Sequence, residues 1–165
     1  DRRAIDALRG MRERHRFRLV HFSIQGDHVH MIVEATTARD LACGLKSVVA
    51  RFGRAVNRIF NRAGQVLVDR SHVRVLRTPR EVRNAIAYVL LNARRHLAKA
   101  GRALPRSAPI DPASSGRGFT GWRDGIVAVE RAPAPVARAR TWLLSVGWRR
   151  HGLLDPSEVP GLVPG

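Results

Sequence analysis

FRLVHFSIQGDHVHMIVE, residues Phe17 to Glu34, is the stretch whose reading decides the fold. From Arg16 to Gln25 apolar and polar residues alternate, with Val20, Phe22 and Ile24 on one side. Such a period of two is that of a half-buried strand. Gly26-Asp27 then supplies the two-residue turn of a β-hairpin. From His28 to Ala35 the alternation resumes: Val29, Met31, Val33 and Ala35 share one face, and His28, His30 and Ile32 share the other. The hairpin therefore buries one side and presents a pair of imidazoles on its opposite side.

Outward from this hairpin the period changes. Arg3 to Arg14 reads as a short basic helix, and Arg39 to Arg62 as a long one with Leu41, Leu45, Val48, Phe52, Val56 and Ile59 at three- and four-residue spacing. Gln65 to Arg77 reads as a third strand through Val66, Val68, Val73 and Val75. Thr78, Pro79 and Glu81 together mark a helix start: a hydroxyl cap, a proline at the first helical position and a carboxylate closing a capping box. That helix is predicted to run to about Ala100, burying Val82, Ile86, Val89, Ala93 and Leu97. The expected class is α+β, with three antiparallel strands and helices packed on them. Residues 1–100 form the main domain; residues 101–165 form a Pro/Gly-rich C-terminal extension with one helix expected near 136–151.

Charge narrows the partners. Lys and Arg number 30 against 13 Asp and Glu, for a formal charge of +17. Only Lys46 and Lys99 are lysines, so part of the arginine richness reflects coding bias, but bias does not remove carboxylates. A surplus of this size fits a polyanion, whose condensed counterions are released when its phosphates are neutralised. The single cysteine, Cys43, excludes an intrachain disulfide framework and makes a reducing cytoplasm the default. No apolar run has the length of a membrane span.

His28 and His30 project from one strand face and can share an ion. On the last core helix Tyr88, the only tyrosine, lies well round from the face of Val82, Ile86 and Val89, with Asn92 one turn later on the same side. A phenol ordinarily keeps its proton at neutral pH, so attack on phosphorus requires positive charge nearby. A divalent ion on His28 and His30, with the Asn92 amide oxygen as third ligand, would supply that charge and polarise a phosphodiester. This donor set with open positions suits Mg2+ or Mn2+. Arg51, Arg54, Arg58 and Arg62 form a helical stripe able to track a DNA backbone. Arg70, His72 and Arg74 alternate on the third expected strand and could contact the same substrate. Trp122, Trp142 and Trp148 could stack on unpaired bases, though Trp142 with Leu143 and Leu144 also reads as a docking helix. His15, His21, His96 and His151 receive no role.

In DHVHMIV, and in Tyr88-x-x-x-Asn92 within VLVDRSHVRVLRTPREVRNAIAYVLLNARRH (Val66 to His96), the chain resembles the REP-associated tyrosine transposases of the HUH nuclease superfamily. The resemblance covers most of Arg16 to Ala100, and DPASSGRGF and ARTWLLSVGWRRHGLL are similar to the tails of longer members. It implies a ferredoxin-like sheet with packed helices, whose first strand is expected to be missing from this chain. It implies metal-dependent cleavage and strand transfer of single-stranded or hairpin DNA through a 5′-phosphotyrosine at Tyr88, with metal on His28, His30 and Asn92. A bacterial, nucleoid-associated setting follows, and a homodimer is left open. Two readings compete: a domesticated or truncated copy that binds DNA hairpins without cutting, and an RNA-binding sheet. The latter calls for aromatic residues on the open face, and the readable strands offer only Phe17 and Phe22.

Overall fold

The computed structural model describes residues 5, 8, 13–14, 16–26, 28–67, 72–102, 104–105, 107–123 and 136–161, with residues 13–14 described by backbone alone. Its centre is the hairpin. A two-residue strand β1 (Glu13–Arg14) pairs antiparallel with β2 (Phe17–Ile24), which pairs antiparallel with β3 (Val29–Ala35). The turn closes through Gln25 N donating to His28 O at 2.9 Å; Asp27 lies outside the described residues. Ile5 and Leu8 are helical, as the basic N-terminal helix requires, but that helix does not extend to Arg14, which is in β1.

The ladder slips between Leu19 and His21, so Leu19 faces Val33 and His21 faces Ile32. A bulge of this kind inverts the phase of the alternation beyond it. Phe17, Leu19, Phe22 and Ile24 consequently share one face, with Val29, Met31 and Val33 of β3, and Val20 belongs to the other. The expected grouping of Val20 with Phe22 and Ile24 is thus corrected.

Each sheet face has its own cover. Helix α1 (Ala38–Ile59) lays Leu41, Leu45, Val48, Phe52 and Val56 onto the first face. Thr37 caps it by accepting from Asp40 N at 3.1 Å. Gly44 is where the helix comes closest to the sheet: a Cβ there would collide with the Phe17 ring. The helix stops at Ile59, and Asn61 turns left-handed with φ 46°, so Arg62 falls outside the helical stripe expected of it.

The strand expected over Gln65–Arg77 is absent among the described residues of that stretch. Two of its apolar residues find helix rather than sheet. Val66 comes up against Gly53 of α1, and Leu67 packs with the α1 cluster. Val73 and Val75 are 57% and 65% exposed, with no ladder to join. Val68 and Arg70 lie outside the described residues.

The second face is covered by α2 (Pro79–Leu90), whose Thr78 and Glu81 complete the anticipated capping box. One helix to Ala100 was expected; instead Leu91, at φ −108° and ψ 19°, interrupts it, and α3 (Asn92–Lys99) follows. Val82, Ile86, Val89 and Leu90 pack with Val20, Ile32, Phe119, Trp122, Leu144, Trp148 and Leu154 in one core. The C-terminal segment is thus built into the layer under α2. It contains a 3-10 turn (Ser115–Gly118), the short helix α4 (Trp142–Ser145) and a second 3-10 turn (Gly147–His151) in place of one longer helix.

Beyond β1 the outer edge of β2 is also met by this segment. Ala137 N donates to Leu19 O at 2.8 Å, Phe22 N to Ser115 Oγ at 3.1 Å, and Ile24 N to Ala113 O at 2.9 Å. Backbone groups left bare at a strand edge are thereby satisfied. Arg83 of α2 grips Glu158 through two bonds, at 2.9 and 3.0 Å. Buried Glu34 of β3 accepts from Thr141 N at 2.8 Å, Thr141 Oγ1 at 2.6 Å, Arg140 N at 3.0 Å and Arg18 Nε at 2.9 Å. Burial alone would raise its pKa, but the donors on Thr141, Arg140 and Arg18 outweigh burial and hold the carboxyl below its usual range. Among the described residues no helix is long and apolar enough to cross a membrane.

Candidate functional site

The valines of β3 turn toward α1, and strand alternation turns His28 and His30 the other way, toward α2 and α3. There the two imidazoles meet edge to face, ring centroids 4.6 Å apart. The Tyr88 ring, from the last turn and a half of α2, stands against His30 at 4.9 Å, also edge to face. His30 of β3, His28 just before that strand and Tyr88 of α2, far along the chain, have been brought together. Tyr88 is half-buried, its ring edge resting on the second core.

Asn92 follows one turn beyond Tyr88, just past the break at Leu91, and is wholly buried. Neither its amide oxygen nor its amide nitrogen has a hydrogen-bond partner, and His30 Nε2 is likewise buried without one. An unmet buried polar group costs about 1–3 kcal/mol. Ser115, Glu34 and the Trp122 indole, by contrast, all find partners.

Electrostatics favour the uncharged imidazole. Burial pushes His30 down to about 4, and the neighbouring His28, His96 and Arg95 add to the shift. At neutral pH His30 therefore carries no charge and keeps a lone pair, which is the form that ligates a cation. Among the described residues no three His, Cys, Asp or Glu side chains are grouped so as to hold a metal by themselves. The donors brought together are the His28–His30 pair, with the buried Asn92 carboxamide one turn along the chain from Tyr88.

Two site residues were not anticipated. His96 in α3 brings a third imidazole to 5.7 Å from that of His28. Arg95 lies over the Tyr88 ring, its guanidinium carbon 4.8 Å from the centroid, and Nη1 donates to the Tyr88 hydroxyl at 3.4 Å. Their signal was helical phase: seven and eight residues after Tyr88 is two turns, hence the same face.

The candidate DNA contacts are dispersed. Arg51, Arg54 and Arg58 are exposed on α1, across the sheet from the imidazoles, and Arg62 is exposed beyond that helix, reaching Gln65 O at 3.5 Å. Arg74 pairs with Glu81 at 3.3 Å, beside the start of α2, and His72 is exposed. Arg70 lies outside the described residues. Trp122 and Trp148 are buried in the second core and cannot stack on bases there; Trp142 is about half exposed. His21 is buried, its Nδ1 3.4 Å from Ser115 Oγ.

No family model, curated protein or solved structure matches the chain.

Proposed function

We propose that this protein is a metal-dependent, single-tyrosine DNA endonuclease and strand transferase acting on single-stranded or hairpin DNA. The observation that carries the reading is the contact of Tyr88 with His30, which is itself paired with His28. A phenol against an imidazole has an ordinary role as packing; the buried, unpartnered His30 Nε2 in that contact, and the unpartnered Asn92 amide one turn along the chain from Tyr88, do not. Their chemistry fits a divalent cation: neutral nitrogen and amide oxygen, with positions left for phosphate oxygens. His28, His30 and Asn92 would hold Mg2+ or Mn2+, which when bound supplies positive charge to the scissile phosphate.

The chain's own residues do the rest. Tyr88 Oη attacks phosphorus, its proton passing to solvent, and the P–O3′ bond breaks. The departing 3′-oxygen takes a proton and becomes a 3′-hydroxyl, while the 5′ side stays on the enzyme as a phosphotyrosine. Return of a 3′-hydroxyl reverses the exchange, so a strand can be rejoined or transferred. The net charge of +17 supplies the sequence-independent attraction to the substrate. In this reading the hairpin and following helices belong to a ferredoxin-like catalytic unit of the HUH type.

The test is incubation with hairpin-bearing single-stranded DNA and Mn2+ or Mg2+, read on a denaturing gel. A covalent protein–DNA adduct in the wild type that disappears in Tyr88→Phe is the expected result. Tight binding with no adduct in the wild type would overturn the enzymatic reading in favour of a hairpin-binding protein.

A further inference from the structure

We propose that Arg95 is a further active-site residue whose guanidinium binds the non-bridging oxygens of the phosphodiester attacked by Tyr88. This rests on the nuclease reading above and names the group that receives the reacting phosphate. Three observations carry it. The guanidinium carbon lies over the Tyr88 ring, 4.8 Å from its centroid. Nη1 already reaches the Tyr88 hydroxyl, at 3.4 Å, so any phosphorus within attacking reach of that oxygen lies beside the guanidinium. Nε is buried with no acceptor, and among the described residues no carboxylate pairs with Arg95.

A merely structural stack accounts for the first observation and not for the third. An arginine that only props an aromatic ring keeps its N–H groups in water or on a carbonyl. Arg94, next along the helix, does so: it donates to Leu104 O at 3.2 Å and Pro105 O at 3.0 Å. Arg95 instead holds a donor out of water beside a candidate nucleophile. A phosphate meets that demand, because a planar fork of N–H groups matches two of its oxygens. During attack the phosphoryl oxygens gain negative charge as the Oη–P bond forms and the P–O3′ bond breaks, so a fixed cation there stabilises the transition state more than the ground state.

Because Tyr88 is the only tyrosine, ring-13C-tyrosine labelling gives a reporter for this residue alone. Inorganic phosphate, titrated against chloride at constant ionic strength, is expected to move the wild-type signal saturably. Arg95→Gln is expected to abolish that response in metal-free buffer. In single-turnover adduct formation Arg95→Ala is expected to be slower by about 100-fold or more, with affinity for single-stranded DNA changed less than about 3-fold, since one cation among many contributes little to it. Arg95→Lys keeps charge and stem and covers the event that shorter variants unfold; it is expected to recover part of the rate without the full phosphate response. A phosphate response unchanged by Arg95→Gln, absent in the wild type, or an adduct rate unchanged in Arg95→Ala overturns the proposal. A wild type that forms no adduct yet keeps an Arg95-dependent phosphate response sinks the nuclease reading instead, and with it Arg95's part in that reaction.

Discussion

Asn92 separates stability from the proposed activity at the level of one side chain. It is wholly buried with neither amide atom satisfied, so the folded protein gains nothing from its polarity. Asn92→Leu, close in size and without polar atoms, is expected to raise the unfolding free energy by about 1 kcal/mol, measured by urea titration, while eliminating Mn2+-dependent adduct formation. Lower stability in that variant would show that the amide is satisfied in the native state. His21 makes a second residue-level prediction. Burial lowers it to about 4 from an ordinary 6.5, so the unfolded chain binds the proton more readily. Stability is fully present above about pH 6.5 and falls as pH drops toward 4, a loss of about 2 kcal/mol by pH 4.5 from this group alone. Denaturant midpoints at pH 7.5 and 4.5 should therefore differ, and His21→Phe should reduce the difference. His30, lowered to a similar value, adds to the same slope in metal-free protein.

Among elements, the closest packing lies where α1 crosses β2. Gly44→Ala would gain helix propensity of about 1 kcal/mol, yet its methyl group would occupy the volume of the Phe17 ring. Overpacking of a core costs about 1–3 kcal/mol and often displaces backbone. The net expectation is a variant about 1–2 kcal/mol less stable by chemical denaturation, partly restored by the compensating Phe17→Leu. The start of α2 is more forgiving: Thr78→Ala removes one cap and should cost about 1 kcal/mol. These same elements mark what was readable in the residues alone. The β2–β3 hairpin, α1 and the capping box at Thr78 were legible because each is specified by neighbours in sequence. The bulge at Val20 was not, since one inserted residue leaves no mark in a single strand's pattern. The valines of 66–75 have strand periodicity, but a strand exists only where a partner edge is free, and part of this stretch rests on α1 instead. Tyr88, His28 and His30 were legible from their phases; Arg95 and His96 had the right phase too, but only a folded helix break at Leu91 reveals what they meet.

Over the whole molecule, the C-terminal segment behaves as part of the sheet's architecture. It supplies partners to the outer edge of β2 through Ala113, Ser115 and Ala137 and fills the core below α2 with Phe119, Trp122 and Trp148. Trp148→Ala is therefore expected to cost about 3–5 kcal/mol and to weaken adduct formation, because it loosens the core on which α2 and Tyr88 rest. Thermal melts with and without the substitution check this; an unchanged melting temperature would mean that the tail is dispensable. This arrangement also has a temporal side. Ribosomes release the hairpin and Tyr88 before Trp148 emerges, so α2 lacks its support until that later segment has been made. A product that stops before Trp148 is thereby kept from completing the core on which α2, and with it the Tyr88–His30 contact, rests.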